Sequence, residues 1–313
     1  MAARAVSAPS ASSLTAMQSP PAPFGRVLTA MVTPFTADGE LDLERTASLA
    51  SSLVDQGNDG LVVSGTTGES PTTSDREKRE LLRAVVDAVG DRAHVLAGVG
   101  TNDTRHTVEL AREAEKCGAT GLLLVTPYYS RPPQSGLLAH TEKVAGSTDL
   151  PVMLYDIPVR TGVALTTETI VALADHPQIV AVKDAKDDLA ATSTVLASTG
   201  LAYYSGNDTH NLPLLAVGAA GMVSVISHVV TPQLVEMVQA YDSGDVARAR
   251  ELHLQLQVVC TGMFRTQGVI LSKAALALTG APVGPVRLPL VDATDEQRAV
   301  LAQDLASGGV ALA

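Results

Sequence analysis

A lysine that closes an apolar run is the residue of this sequence with the most chemistry in it. Lys183 follows Ile179-Val180-Ala181-Val182 and is one of only six lysines in 313 residues. Burial in such a place disfavours the charged amine, and a neutral amine is what attack on a carbonyl carbon requires. Position alone fits equally well a strand-end lysine paired with Asp184 or Asp208.

Other polar groups also stand where apolar runs stop. The turn GTTGES at 65–70 follows Leu61-Val62-Val63 and brings the hydroxyls of Thr66 and Thr67 together with several backbone N–H groups. Such a cluster can hold a carboxylate, although a lone small-residue turn is more often a plain loop. Tyr155 ends the run before IPVRTG, and Tyr129 ends the one that contains Pro127. A phenol bonded to a threonine hydroxyl can move protons while an imine forms and collapses. Arg160, five residues beyond Tyr155, offers a planar fork for a substrate carboxylate. Taken singly, each tyrosine reads as half-buried packing and Arg160 as a surface ion pair. Taken together, a lysine, two tyrosines, two threonines and an arginine all fall at or just past such ends. No carboxylate pair, Ser-His-Asp set or P-loop competes with them.

The elements that must position these groups follow from the hydrophobic pattern. Eight apolar runs recur, at 26–35, 60–69, 94–102, 120–129, 150–158, 179–186, 202–208 and 220–228. Several are nearly continuous in Val, Ile, Leu and Ala, as parallel strands covered on both sides are. Between them, LERTASLASSLVDQG and DREKRELLRAVVDAVG place apolar residues three and four apart, the mark of a helix with one buried stripe. Eight βα units predict an α/β TIM (β/α)8 barrel, whose sites collect at the C-terminal ends of the strands. An open doubly wound sheet is the rival fold, but no glycine-rich dinucleotide turn is present. Further helical patterns at 232–242, 245–264, 269–279 and 294–306 exceed what the barrel needs and predict an appended C-terminal helical layer. The expected organisation is a disordered Ala/Ser/Pro-rich tail over 1–24, a catalytic barrel over 25–242 and C-terminal helices over 243–313.

Composition narrows the partners. A net charge of −11 without a Lys/Arg cluster argues against nucleic acid and anionic membrane surfaces. No apolar run reaches the length of a bilayer span, and the first 24 residues lack the continuous apolar stretch of a secretory signal. The two cysteines, Cys117 and Cys260, fit neither a zinc site nor a disulfide framework. Reduced thiols in a cytoplasmic protein are expected. The seven histidines are scattered singly, so no metal is indicated.

The motifs GTTGES (65–70), TPYYSRP (126–132), LYDIPVRTG (154–162), AVKDA (181–185) and SGND (205–208) resemble those of a known family. It is the dihydrodipicolinate synthase and N-acetylneuraminate lyase superfamily of class I aldolase-like barrels, matched over about residues 26–300. YDIPVRTG, with Arg160, and the paired threonines look most like the dihydrodipicolinate synthase branch. The resemblance implies an imine between Lys183 and pyruvate, with Tyr155 relaying protons through Thr66 and through Tyr129 from a neighbouring subunit of a homotetramer. It also implies that Thr67 holds the pyruvate carboxylate and Arg160 that of L-aspartate 4-semialdehyde, with Gly206 and Val223 lining the pocket. No cofactor is implied. A pyruvate-dependent sugar-acid aldolase and a silent keto-acid-binding barrel are the competing readings.

The chain departs from the family pattern after the lysine, with Asp184 in place of a common glutamate and Asp187 in place of a common glycine. A loop of different shape is expected there. At the positions matching the histidine and glutamate of lysine-inhibited relatives stand Lys78 and His106. A cationic Lys78 repels the ammonium groups of lysine, so weak or absent lysine inhibition is expected.

Overall fold

The computed structural model describes residues 21–313. Eight strands form a closed, wholly parallel barrel in which each neighbours the next in sequence and the last pairs with the first. They are β1 (Val27–Ala30), β2 (Gly60–Val63), β3 (His94–Gly98), β4 (Gly121–Val125), β5 (Val152–Asp156), β6 (Ile179–Asp184), β7 (Ala202–Ser205) and β8 (Gly221–Ser224). Each lies inside one of the expected apolar runs but is shorter than it. After β1, for example, the chain leaves the ladder ahead of Pro34, and the Val32 N–H goes to His228 instead of to a strand.

The helices between strands are α1 (Leu43–Asp55), α2 (Asp75–Val89), α3 (Thr104–Lys116), α4 (Gln134–Ala145), the short α5 (Pro158–Thr161), α6 (Thr167–Leu173), α7 (Leu189–Ser198) and α8 (Asn211–Ala216). Local chemistry starts them. Ser74 and Glu77 form a reciprocal capping box on α2, and the Asp42, Asp103 and Asp188 side chains cap α1, α3 and α7. The stripe Leu81, Leu82, Val85 and Val89 of α2 is buried against the barrel, as the spacing of the sequence requires. Each fully buried leucine contributes about 1.5–3 kcal/mol of burial free energy.

The chain ends in α9 (Ser227–Asp242), α10 (Val246–Met263), α11 (Gly268–Leu278) and α12 (Asp295–Ser307). The expected start at 232 is five residues late, because α9 runs through a kink at Val230, just ahead of Pro232. Helix α10 packs on α9, α11 and α12, which forms the appended layer. Most of the expected N-terminal tail lies outside the described residues. Phe24, assigned to it by sequence, is buried beneath the barrel, edge-on to His94, and its N–H donates to the Tyr204 hydroxyl.

Candidate active site

Parallel pairing puts the two central groups side by side. Tyr155 of β5 and Lys183 of β6 are register partners, so both side chains leave the sheet on the same face. Their neighbours Asp156 and Asp184 leave on the other. The Lys183 Nζ stands 4.3 Å from the centroid of the Tyr155 ring, and both residues are buried. Burial lowers the amine to about 8, against the pull of the Asp208 carboxylate and with help from the Arg160 guanidinium. The same burial pushes the Tyr155 phenol up to about 12, while Arg160 and hydrogen bonding from Thr66 act downward.

The two acids that could have paired with Lys183 are engaged elsewhere. Asp184 accepts from the Thr192 hydroxyl and the Lys186 N–H, each at 2.7 Å. Asp208 accepts from the Val225 and Ile226 N–H groups at 2.8 and 3.1 Å and from Asn211 at 3.0 Å. The alternative of a strand-end ion pair is therefore not what the structure holds.

Two openings flank this pair and share Ile157 and Arg160. One, of about 370 Å³, is lined by Thr66, Tyr155, Arg160, Tyr128 and Tyr129 among others. The other, of about 730 Å³, includes Gly206, Asp187 and Asp208. Lys183 lines neither opening itself; its amine stands over Tyr155, which lines the first, and its stem lies against Gly206, which lines the second. A Cβ on Gly206 would come within 3.0 Å of the lysine Cγ, 3.1 Å of its Cε and 2.9 Å of the Asp184 carbonyl. Only glycine leaves the lysine its room.

Local sequence explains where the remaining groups sit. Arg160 rides on α5, which begins with Pro158 and stops at Gly162 in the left-handed conformation (φ 77°). The Arg131 guanidinium fastens that stop by donating to the Gly162 carbonyl at 2.8 Å. In the GTTGES turn the Gly68 N–H returns to the Gly65 carbonyl at 3.1 Å, and a Cβ on Gly68 would meet the Met31 carbonyl and the Ser64 N, both at 3.1 Å.

Thr66, Tyr155, Arg160 and Lys183 are thus brought together, with Gly206 against the lysine. Thr67 is buried in the same turn, and Val223 is buried on β8 opposite Leu28; neither lines the two openings. Tyr129 lies at the rim of the first opening, 89% exposed with φ 73°. Asp187 adopts φ 63°, as a glycine would, and its carboxylate accepts from Asn207 at 2.9 Å and faces His210 at 3.4 Å. Sequence reasoning missed Tyr128, which the motif TPYYSRP had put in view next to Tyr129. Among the described residues, no group of three or more His, Cys, Asp or Glu side chains could hold a metal ion.

Comparison with known proteins shows the family. The model of the dihydrodipicolinate synthetase family matches residues 23–307. A 4-hydroxy-tetrahydrodipicolinate synthase of Acidothermus cellulolyticus is 69% identical over 92% of this chain and 94% of its own. A second one, from Streptomyces coelicolor, is 64% identical over 94% of this chain and 98% of its own. The crystal structure of a lysine-bound DHDPS from Cyanidioschyzon merolae superposes with a TM-score of 0.91 at 42% identity, covering 92% of this chain and 99% of that one. With a family match that spans the whole barrel and the layer behind it, and a lysine and phenol paired inside, this chain belongs to the dihydrodipicolinate synthetase family.

Proposed function

We propose that the chain catalyses the reaction for which its relatives are named, joining pyruvate to L-aspartate 4-semialdehyde through an imine on Lys183. The observation that carries this reading is a buried amine, without an ion-pair partner among the described residues, held over a phenol, with a guanidinium at the shared edge of two openings.

The neutral Lys183 amine attacks the keto carbon of pyruvate, and loss of water leaves a protonated imine. That imine draws electrons from the neighbouring methyl, which gives up a proton to become an enamine. The enamine carbon then attacks the aldehyde of the second substrate. Finally the substrate's own amine adds to the imine carbon and displaces Lys183, so the enzyme is regenerated without a cofactor. Tyr155, with Thr66 beside it, is the group placed to carry protons to and from the imine nitrogen and its water. Its high affinity for the proton suits a donor that must be reloaded at neutral pH. Thr67 and the N–H groups of its turn receive the pyruvate carboxylate, and Arg160 receives that of the semialdehyde. Gly206 and Val223 shape the wall behind them.

Tyr129 completes the relay from a neighbouring copy in a homotetramer. An aromatic side chain left this exposed at an active-site rim supports that role. No helix among the described residues is long and apolar enough to cross a membrane. Two buried, unbonded cysteines support a reducing cytoplasmic setting.

Supplying pyruvate with L-aspartate 4-semialdehyde, and separately with a panel of sugar-acid aldehydes, tests the assignment. Turnover of the semialdehyde alone is the expected outcome. Preferential turnover of polyhydroxylated aldehydes would reassign the chain to sugar-acid chemistry, and binding of pyruvate without turnover of any aldehyde would make it a silent barrel.

A further inference from the structure

The turn that carries Thr66 and Thr67 is held from the far end of the chain, by the charge of Lys273 and the backbone of Arg287. Two residues without the freedom of glycine bracket it in the left-handed region, Ser64 at φ 57° and Glu69 at φ 54°. Side chains adopt that backbone only where their surroundings fix it. At Glu69 those surroundings are explicit. Its carboxylate is 1% exposed, lies 2.7 Å from the Lys273 Nζ, and accepts from the backbone N–H of Arg287 at 2.8 Å.

Neither cation is free to move. The Lys273 amine, 4% exposed, also donates to the Pro285 carbonyl at 2.6 Å. Arg287 donates to the Gly39 carbonyl at 2.8 Å, the Thr72 carbonyl at 2.9 Å and the Glu77 carboxylate at 2.6 Å. Both cations lie over the Phe35 ring, at 4.3 and 4.2 Å. The turn closes on Glu69 itself, whose N–H returns to the Thr66 carbonyl at 3.2 Å. A shift of Glu69 is therefore a shift of Thr66 and Thr67.

Stability alone is a poor reason for such an arrangement. Burying opposite charges costs about what their attraction returns, and an apolar pair of the same size would hold the layers together as well. What charge adds is a fixed geometry. We infer that Glu69, Lys273 and Arg287 are positioning residues for the keto-acid end of the site, through which the C-terminal layer sets where the pyruvate carboxylate is received. This rests on the imine reading above.

The test compares wild type with the double variant Glu69→Gln/Lys273→Met, which removes both charges together, and with Glu69→Asp, which keeps the charge but withdraws it by one methylene. Two quantities are read in the folded proteins: hydrogen exchange of the peptide over 64–72, and half-saturation by each substrate. The expected result is faster exchange confined to 64–72. With it, the pyruvate half-saturation should rise on the order of tenfold or more while that for the semialdehyde changes by less than about twofold. If the double variant does not fold, Glu69→Asp must show the same pair of changes. Wild-type exchange and wild-type pyruvate saturation in a folded variant would overturn the inference, as would an equal loss for both substrates. Failure of the wild type to trap pyruvate on Lys183 would instead sink the imine reading, and the exchange comparison would still judge the positioning.

Discussion

The protonation of Lys183 gives the sharpest expectation, because the pH dependence of imine formation follows from its surroundings. With the amine lowered from 10.5 to about 8, roughly a tenth of it is neutral at pH 7, against about 0.03% for an unperturbed lysine. That is roughly a 300-fold gain in nucleophile. Below about pH 8 the rate of imine formation with subsaturating pyruvate should therefore climb tenfold per unit, and above it level off. Quenching the reaction with borohydride at timed intervals and weighing the intact protein measures this rate without the second substrate. Arg160→Met supplies the perturbation. The guanidinium lowers Lys183, so its removal must move the midpoint to higher pH, and the rate at pH 7 falls about tenfold for each unit of that move. A wild-type midpoint near 10, or a variant midpoint that moves down, would contradict a lysine kept neutral by its surroundings.

Four further expectations follow from the same contacts. Gly206→Ala drives a methyl into the Lys183 stem and the Asp184 carbonyl, and overpacking of about 1–3 kcal/mol, if felt in full at the lysine, should slow imine formation roughly 5- to 150-fold in the same quench assay. Tyr155→Phe keeps the ring under the lysine and removes the proton carrier, so turnover should fall about 10²- to 10⁴-fold while the melting temperature scarcely moves. Glu77 is held down at about 2, chiefly by its hydrogen bond to Arg287. The stability it contributes is present above its unfolded value near 4.5 and is lost as pH falls toward 2. Denaturant melts at pH 6 and pH 3 should show a loss on the order of 1–2 kcal/mol that is missing in Glu77→Gln. Millimolar lysine should inhibit turnover weakly or not at all, because the Lys78 amine occupies the Thr73 carbonyl and His106 faces Asp75 at 3.0 Å; strong inhibition would contradict this.

How far the sequence could be read depended on how local each feature is. The eight runs of buried aliphatic residues and the amphipathic stripes between them are local, and they specify the barrel. Lys183, Tyr155 and Thr66 were legible for the same reason, since each stands where a run meets polar loop residues. Strand ends were not, because leaving the ladder after Ala30 depends on a hydrogen bond to His228, far along the chain. The anchoring of the threonine turn was equally hidden, as no periodicity near Glu69 points to Lys273 or Arg287. Thr67 and Val223 carry the opposite lesson. The GTTGES motif places Thr67 at the site and the family resemblance alone places Val223 there, yet both side chains are buried and neither lines an opening. Asp187, where the family pattern has glycine, takes the left-handed backbone a glycine favours, and Asn207 and His210 meet its carboxylate.

In the proposed reaction one amine, uncharged and facing the phenol, carries the chemistry. Incubation with pyruvate and borohydride, followed by peptide mapping by mass spectrometry, tests it directly. A single reduced adduct on Lys183, absent in Lys183→Ala, is the expected result. No adduct on the folded wild-type protein, or an adduct on any other lysine, would contradict it.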